Sequence, residues 1–462
     1  MAASTTIERA SIDVAHTDTP LARATIARVS LRLLPFLFVL YLFNFLDRTN
    51  VSIAALQMNR DLRFSAAAFG LGAGILFVGY ALFEVPSNLL LARVGARWWI
   101  ARIMCTWGVI AVAMALVRTP MQFYVLRFLL GVAEAGFFPG VVYYLSQWFP
   151  SDVRARASAR FMVAIPLSGV LGGAIGGSLL GLDGRLGLAG WQWLFVAEGI
   201  PSIVLGVAVL MLLTERPADA RWLIPEQREW LEARLELEGA ASAARHGVPP
   251  LRTLVDPMVW LVSLPYFASA VSYYGYQFWG PTIIRDALHT SDTTTSLASG
   301  LIALVAAAVM LINAAHSDRT GERFMHAACG ASVQMLGYLG VVLLPWPFAK
   351  VLAIALVPIG AMMFMAPYWC LPPMLFSGTA MAAAIALVNS IQSLGGFFGP
   401  NIIGVAKTLT GGTTGAFLVL ASFAMLAGVS LLMLRRQSVF RTPTVVGPIA
   451  TPSYASVHAG PA

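Results

Sequence analysis

Asp47 and Arg48 stand side by side inside an otherwise apolar stretch, Leu33–Leu56. Opposite charges in hydrocarbon can do two kinds of chemistry. The guanidinium can hold an anion, and the carboxylate can take up and release a proton. Each charge costs about 2.5–3.5 kcal/mol to insert at mid-bilayer, so such groups face a bundle interior or a wet cavity. The apolar run before the pair, Leu33–Leu46, is 14 residues long. A membrane span takes about 20, so the helix is expected to continue through the pair. The alternative is a helix starting nearer Val29, with the pair capping its outer end.

A second pair follows in the stretch 123–146. Arg127 and Glu134 are seven residues apart, nearly two turns, and so share a face about 10 Å apart along the axis. Gly131 between them leaves room for a neighbour. The first and fourth helices run in opposite directions, which sets Arg127 near the level of Asp47 and Glu134 deeper. The expected arrangement pairs Asp47 with Arg127 and turns Arg48 and Glu134 toward a central cavity. A static salt-bridge network would use the same residue types. Against it stands an asymmetry: Asp47, Arg48, Glu84, Arg127 and Glu134 all lie in the first half. The second half offers aromatic and amide groups instead, among them Tyr273, Tyr276, Trp369 and Asn389. Asn389 suits either an interhelical hydrogen bond or a ligand contact.

These residues need helices to hold them. The chain has 462 residues, 58% hydrophobic and 11% charged, far from the roughly 25% charged of a soluble domain. Twelve apolar runs of spanning length follow one another: 33–56, 66–91, 98–117, 123–146, 157–181, 191–213, 257–281, 294–315, 324–344, 351–371, 381–405 and 415–434. Aligning Gly95 with Gly321 gives an offset of 226 residues that carries the first six runs onto the last six. It maps Asp47 and Arg48 onto Tyr273 and Tyr274, well inside the seventh helix, which disfavours the end-cap alternative. The expected fold is an all-α membrane protein, with twelve transmembrane helices in two pseudo-symmetric six-helix bundles. The expected boundaries are a tail at 1–30, a first bundle at 31–213 and a linker at 214–256. A second bundle at 257–435 and a tail at 436–462 follow. The linker segment Ile224–Glu238, with Trp230, Leu231 and Leu235 on one stripe, reads as a short amphipathic surface helix. With both termini cytoplasmic, 21 basic residues fall inside and seven outside, as the positive-inside rule requires. The net charge of +8 is thereby a topology signal, and nucleic acid is not needed as a partner.

Other chemistries find little support. Cys105, Cys329 and Cys370 are scattered within apolar runs and show no metal or disulfide spacing. The six histidines have no metal-ligand spacing, and no cofactor or metal is expected. The glycines Gly172–Gly177 lie inside a span and do not follow a strand, so they are no phosphate cradle. No nucleophile with an adjacent base is apparent, and no enzyme activity is expected.

Twelve spans in two halves, with the loops RVGAR and DRTGER, resemble the major facilitator superfamily. FLDRTNVSIA, EVPSNLLLARVGARWWIAR, RFLLGVAEAGFFPGVVYYLSQWFP, GWQWLFVAEGIP, RPADARWL and NSIQSLGGFFGP resemble its anion:cation symporter family. The nearest likeness is to bacterial tartrate-, phthalate- and hydroxyphenylacetate-type permeases. The resemblance implies proton-driven import of a small organic carboxylate by alternating access, with a midplane site between the halves. The partners it implies are an organic anion, a proton and membrane lipid. It implies a monomer in the bacterial inner membrane; a uniporter, an exchanger or an exporter of the same fold is the alternative. Under it, Asp47 and Glu134 match proton-linked acids, and Arg48 and Arg127 match essential arginines. Tyr80 and Asn389 fall where substrate is touched, with Tyr273, Tyr276 and Trp369 as further wall candidates. The loop residues Arg93, Gly95, Arg97, Asp318, Arg319, Gly321 and Arg323 match the gating motif. Its usual acid after the second helix is Ala92 here, which implies an asymmetric gate.

An anion-holding role for Arg48 is testable directly. Arg48→Ala is expected to abolish anion binding. Arg48→Lys loses the bidentate fork and one charge-assisted hydrogen bond, which weakens affinity about tenfold to a hundredfold. Near-normal affinity for Arg48→Lys, measured by calorimetry, would make Arg48 a structural cation.

Overall fold

The computed structural model describes residues 19–244, 255–376 and 378–436. Helices account for nearly all of them, and no strand occurs among the described residues. The first half contains α1 (Pro20–Asp61), α2 (Ala66–Val94), α3 (Ala96–Met114), α4 in two pieces (α4a, Pro120–Glu134; α4b, Phe137–Ser146), α5 in two pieces (α5a, Ser151–Met162; α5b, Ala164–Leu180) and α6 (Gly190–Leu212). A linker helix, Pro225–Ala244, follows. The second half contains α7 (Pro257–Leu288), α8 (Asp292–Thr320), α9 (Phe324–Leu343), α10 (Pro347–Tyr368), α11 (Gly378–Thr410) and α12 (Thr414–Arg435).

Among the described residues, nine helical stretches are long and apolar enough to cross a membrane by length and composition alone. The three spans outside that set are α3, α7 and α11. Their sequences mix the apolar run with Arg97 and Arg102, with a string of tyrosines, or with Asn389, Gln392 and Asn401. Spans that line an interior carry more polar side chains than spans that face only lipid.

The first helix departs from the sequence expectation. It begins at Pro20, eleven residues inside the segment assigned to a tail, because Thr19 caps it. The Thr19 side chain accepts from the Ala22 amide at 3.1 Å, and Pro20 occupies the first turn, where its missing N–H costs nothing. Residues 1–18, 245–254 and 437–462, which include parts of both expected tails and of the linker, lie outside the described residues. The linker helix extends past Glu238 to Ala244. It packs on α1 through buried Trp230 and Leu231, and Glu238 ties it to the α4–α5 turn through Arg154 and the Ser151 amide. It belongs to the first half.

Two breaks in the helices shape the interior. Between α4a and α4b, Ala135 is extended and Gly136 adopts φ +86°, a left-handed conformation that suits glycine. The carbonyl freed at Ala135 accepts from Ser87 Oγ at 2.6 Å. Trp99 Nε1 in turn donates to Ser87 at 2.9 Å. Glu134 thereby becomes the last residue of α4a. In α5 the break falls at Val163, just before Pro166, whose missing amide interrupts the ladder.

Both described chain ends and the linker helix lie at one end of the bundle, here the terminal end. At the opposite, distal end, the halves are joined. Arg60 pairs with Asp292 at 2.8 Å, Arg285 Nη1 donates to the Leu56 carbonyl at 2.6 Å, and the Ala67 amide donates to Thr408 at 2.9 Å. Two crossings made of small residues bring the halves together there, α2 on α11 and α5b on α8. At the second, Ser296 Oγ donates to the Gly173 carbonyl at 2.7 Å. A Cβ on Gly173 would lie 2.7 Å from the Ser296 carbonyl oxygen.

Gly173→Val therefore overpacks a contact between the halves and leaves each half intact, at a cost to this closed distal end of about 1–3 kcal/mol. With Cys105, Cys329 and Cys370 replaced by Ser, a reporter Gln277→Cys is expected to label several-fold faster from the distal side of oriented vesicles. Unchanged labelling would show that this crossing does not hold the end shut.

Candidate substrate and proton site

Consecutive residues of α1 project about 100° apart, and that angle separates Asp47 from Arg48. Asp47 turns into the first bundle and is 1% exposed. Arg48 turns toward the space between the halves. Its Nε donates to Glu134 Oε1 at 2.6 Å, and the Glu134 side chain is fully buried. Asn44, one turn earlier on α1, donates its amide to the same oxygen. The Arg48 guanidinium lies over the Tyr80 ring, 4.8 Å from its centroid, and 5.5 Å from that of Phe45. Cation–π contact of this kind stabilises a desolvated guanidinium.

The expected Asp47–Arg127 ion pair is absent: no nitrogen of Arg127 comes within 4.0 Å of the carboxylate. The pair that forms is Arg48 with Glu134. Arg127 is fully buried and donates to two α2 backbone carbonyls, Gly72 at 3.3 Å and Ala73 at 3.2 Å. Gly131, a turn after Arg127, brings α4a so close to α2 that a Cβ there would strike the Leu76 carbonyl. The reason for the correction is this close approach. It puts α2 backbone acceptors within reach of the guanidinium before Asp47 is. Asp47 Oδ1 instead accepts from Asn50 at 3.1 Å.

Between the halves lies a cavity of about 340 Å³. Arg48, Tyr80, Tyr273, Trp369 and Asn389 line it. Arg127 does not. Tyr276 lines a smaller neighbouring cavity of about 90 Å³ together with Thr49, Ser52 and Gln277. Glu134 was expected to face the cavity and sits behind Arg48 instead. The rest of the wall includes Tyr41, Tyr266, Tyr274, Met362, Met365 and Gln392. Asn389 makes the interhelical bond and also borders the cavity. Its amide donates to Glu84 of α2 at 2.9 Å, with Ser390 adding a bond at 3.0 Å. That contact joins α2 of the first half to α11 of the second.

Sequence reasoning passed over three polar residues that complete the site. Asn44 and Asn50 flank Asp47 at three-residue intervals within the same apolar run. Glu198 of α6 accepts from Asn50 at 2.7 Å and is 4% exposed. Its signal was an isolated acid in GWQWLFVAEGIP, a stretch otherwise without charge.

The gating candidates hold contacts within their own halves. The Ala96 and Arg97 amides donate to Glu215 at 2.7 and 3.1 Å, while Gly95 takes φ +101°. Arg97 also donates to the Leu210 carbonyl. Asp318 pairs with Arg323 at 2.5 Å, and Gly321 caps α8 at φ +67°. Arg93 and Arg319 are exposed.

The family profile described as Major Facilitator Superfamily matches residues 37–400. The chain belongs to the major facilitator superfamily. It is a multi-pass membrane transporter and not an enzyme. A relative from Agrobacterium vitis, named "Putative tartrate transporter", is 45% identical over 89% of this chain and 91% of its own. A "Quinolone resistance transporter" of Acinetobacter baumannii is 40% identical over 88% of this chain and 93% of its own. Among solved structures, a bacterial homologue of the human lysosomal transporter Spinster, crystallised inward-facing and occupied, shares the fold. Its TM-score is 0.71 at 18% identity, over 87% of this chain and 96% of that one.

In this facilitator, Arg127 and Asp47 are both buried within the first bundle, and Arg127 Nη1 and Asp47 Oδ2 each lack a hydrogen-bond partner. Arg127→Met, which strands a buried carboxylate, is expected to lower stability by about 3–5 kcal/mol in detergent. Adding Asp47→Asn to it should restore part of the loss. A double variant no more stable than the single one would assign Arg127 wholly to its backbone bonds.

Proposed function

We propose that the protein is a proton-coupled symporter that imports a small organic carboxylate across the bacterial inner membrane, with both termini cytoplasmic. The observation that carries this reading is the cavity-facing guanidinium of Arg48 resting on a fully buried Glu134. Arginine has five N–H donors. Nε is given to Glu134, so the two Nη groups remain for a carboxylate in the paired geometry that Arg favours. A substrate carboxylate there competes with Glu134 for one positive charge. Leaving two anions on one buried cation is costly, so Glu134 takes a proton as the anion arrives. The second carboxylate or hydroxyls of a tartrate-like acid would meet Asn389, Gln392 and Tyr273 on the opposite wall. Such a ligand contacts both halves and favours closure at the terminal end. The basic residues gathered at the terminal end support its cytoplasmic placement, and the relative named for tartrate supports the carboxylate class.

A second reading is export of an aromatic anion. It is favoured by the many aromatic and methionine side chains of the wall and by the relative named for quinolone resistance. Proteoliposomes separate the two. An inward proton gradient should drive uptake of labelled L-tartrate under the first reading, and expulsion of a quinolone under the second.

Proton and anion that bind together must raise each other's affinity by the same factor. Tartrate affinity of the wild type is therefore expected to fall as pH rises, because Glu134 loses the proton that accompanies the anion. Glu134→Gln mimics the protonated acid, so its affinity should be high and nearly flat with pH. It should also exchange tartrate while losing the share of accumulation that its own proton drives. A mutant with the wild-type pH dependence would remove Glu134 from coupling.

A further inference from the structure

A second buried carboxyl site lies away from the cavity. One amide, Asn50 Nδ2, donates to both Glu198 Oε2 at 2.7 Å and Asp47 Oδ1 at 3.1 Å. Asp47, Asn50 and Glu198 are 1%, 2% and 4% exposed. Among the described residues, no cation lies within 4.0 Å of either carboxyl. Asn50 Oδ1 and Asp47 Oδ2 are buried polar atoms without a hydrogen-bond partner.

The helices packed against α6 are α1, α3 and α5b. From α1, Asp47 faces Glu198. From α3 come Cys105, which lies against Ile203 and Gly206, and Arg102 and Arg97 nearer the terminal end. Arg97 meets α6 at Leu210, about 18 Å along the axis from Glu198. α5b carries no titratable residue. α4a adds two more buried charged groups to the same bundle, Arg127 and Glu134.

Two ionised carboxylates on one neutral amide, in a dry bundle, would leave negative charge uncompensated at a cost of several kcal/mol. One proton removes that cost. On Glu198 it also supplies an O–H to Asn50 Oδ1, turning one hydrogen bond into a two-point acid–amide pair. Asp47 then remains the ion, in the bundle that also buries Arg127. We infer that Glu198 is a proton-carrying residue of the transport cycle, sharing one proton with Asp47 across Asn50. The step is simple protonation: the carboxylate binds one H⁺ from water admitted at one face and releases it to the other, and no other bond changes. The inference rests on the proton-symport reading and adds to it a site that substrate does not touch.

Two measurements on the full chain test it. In lipid near neutral pH, infrared spectra of the wild type minus Glu198→Gln/Asp47→Asn should contain the C=O stretch of a neutral carboxyl. An empty difference overturns the inference. Should that variant not fold, Glu198→Asp serves: the band must shift in frequency, and an unshifted band overturns it. In proteoliposomes with labelled L-tartrate, Glu198→Gln should keep measurable exchange. It should accumulate about tenfold less for each pH unit of imposed gradient, the factor that one coupled proton contributes. Wild-type accumulation in Glu198→Gln, or accumulation driven by a sodium gradient in its place, overturns the inference. A wild type that shows no proton-driven accumulation defeats the symport reading itself, while the infrared measurement still judges Glu198.

Discussion

A guanidinium and a carboxylate 2.6 Å apart in a medium of low dielectric constrain everything around them. Neither Arg48 nor Glu134 can be left alone there, because each would carry an unpaid desolvation cost of several kcal/mol. The surrounding structure keeps them together. Asn44 gives Glu134 a second donor, the rings of Tyr80 and Phe45 flank the guanidinium, and the break at Gly136 makes Glu134 the end of its helical segment. The contact of Gly131 with α2 fixes the depth of that segment. Arg127 is drawn onto the backbone of α2 by the same approach. The bundle is thus built so that one ion pair stays dry on one side and meets a cavity on the other.

The two halves divide the work. The first half holds the ionisable groups in two layers, Arg48 with Glu134 at the cavity and Asp47 with Glu198 behind it. The second half supplies uncharged wall, including three tyrosines, Trp369, Asn389 and Gln392. At the distal end the halves meet through carbonyls, hydroxyls and small residues, with the Arg60–Asp292 pair, whose arginine is exposed, at the surface. Such contacts are individually weak and can be exchanged for others without leaving a buried charge exposed. A network of buried salt bridges between the halves would resist that exchange.

Much of this was legible in the sequence because a charge in an apolar run has few explanations. Asp47, Arg48, Arg127 and Glu134 stood out on that ground, and the 226-residue offset placed them within spans. Pairing was not legible. Sequence spacing fixes which face of its own helix a residue occupies, and it says nothing of how far a neighbouring helix has moved in. Gly131 signalled a close neighbour without saying that α2 carbonyls would take the Arg127 donors. Asn44 and Asn50 escaped notice because an amide in a span has a bland reading as interhelical glue. Glu198 escaped because it stands alone in its helix, with its partner 148 positions away. The start of α1 at Pro20 depended on a single threonine cap in a polar stretch.

The uncharged wall of the second half has a consequence for how such a transporter diversifies. Exchanging Tyr266, Tyr273 or Met365 for another neutral side chain alters the shape offered to a solute while leaving the ionised groups untouched. Under the proposed proton symport, solute choice and energy conversion are therefore nearly independent design variables in this chain. A laboratory library confined to the α7, α10 and α11 faces of the cavity could search for new cargoes while the driving machinery is held constant.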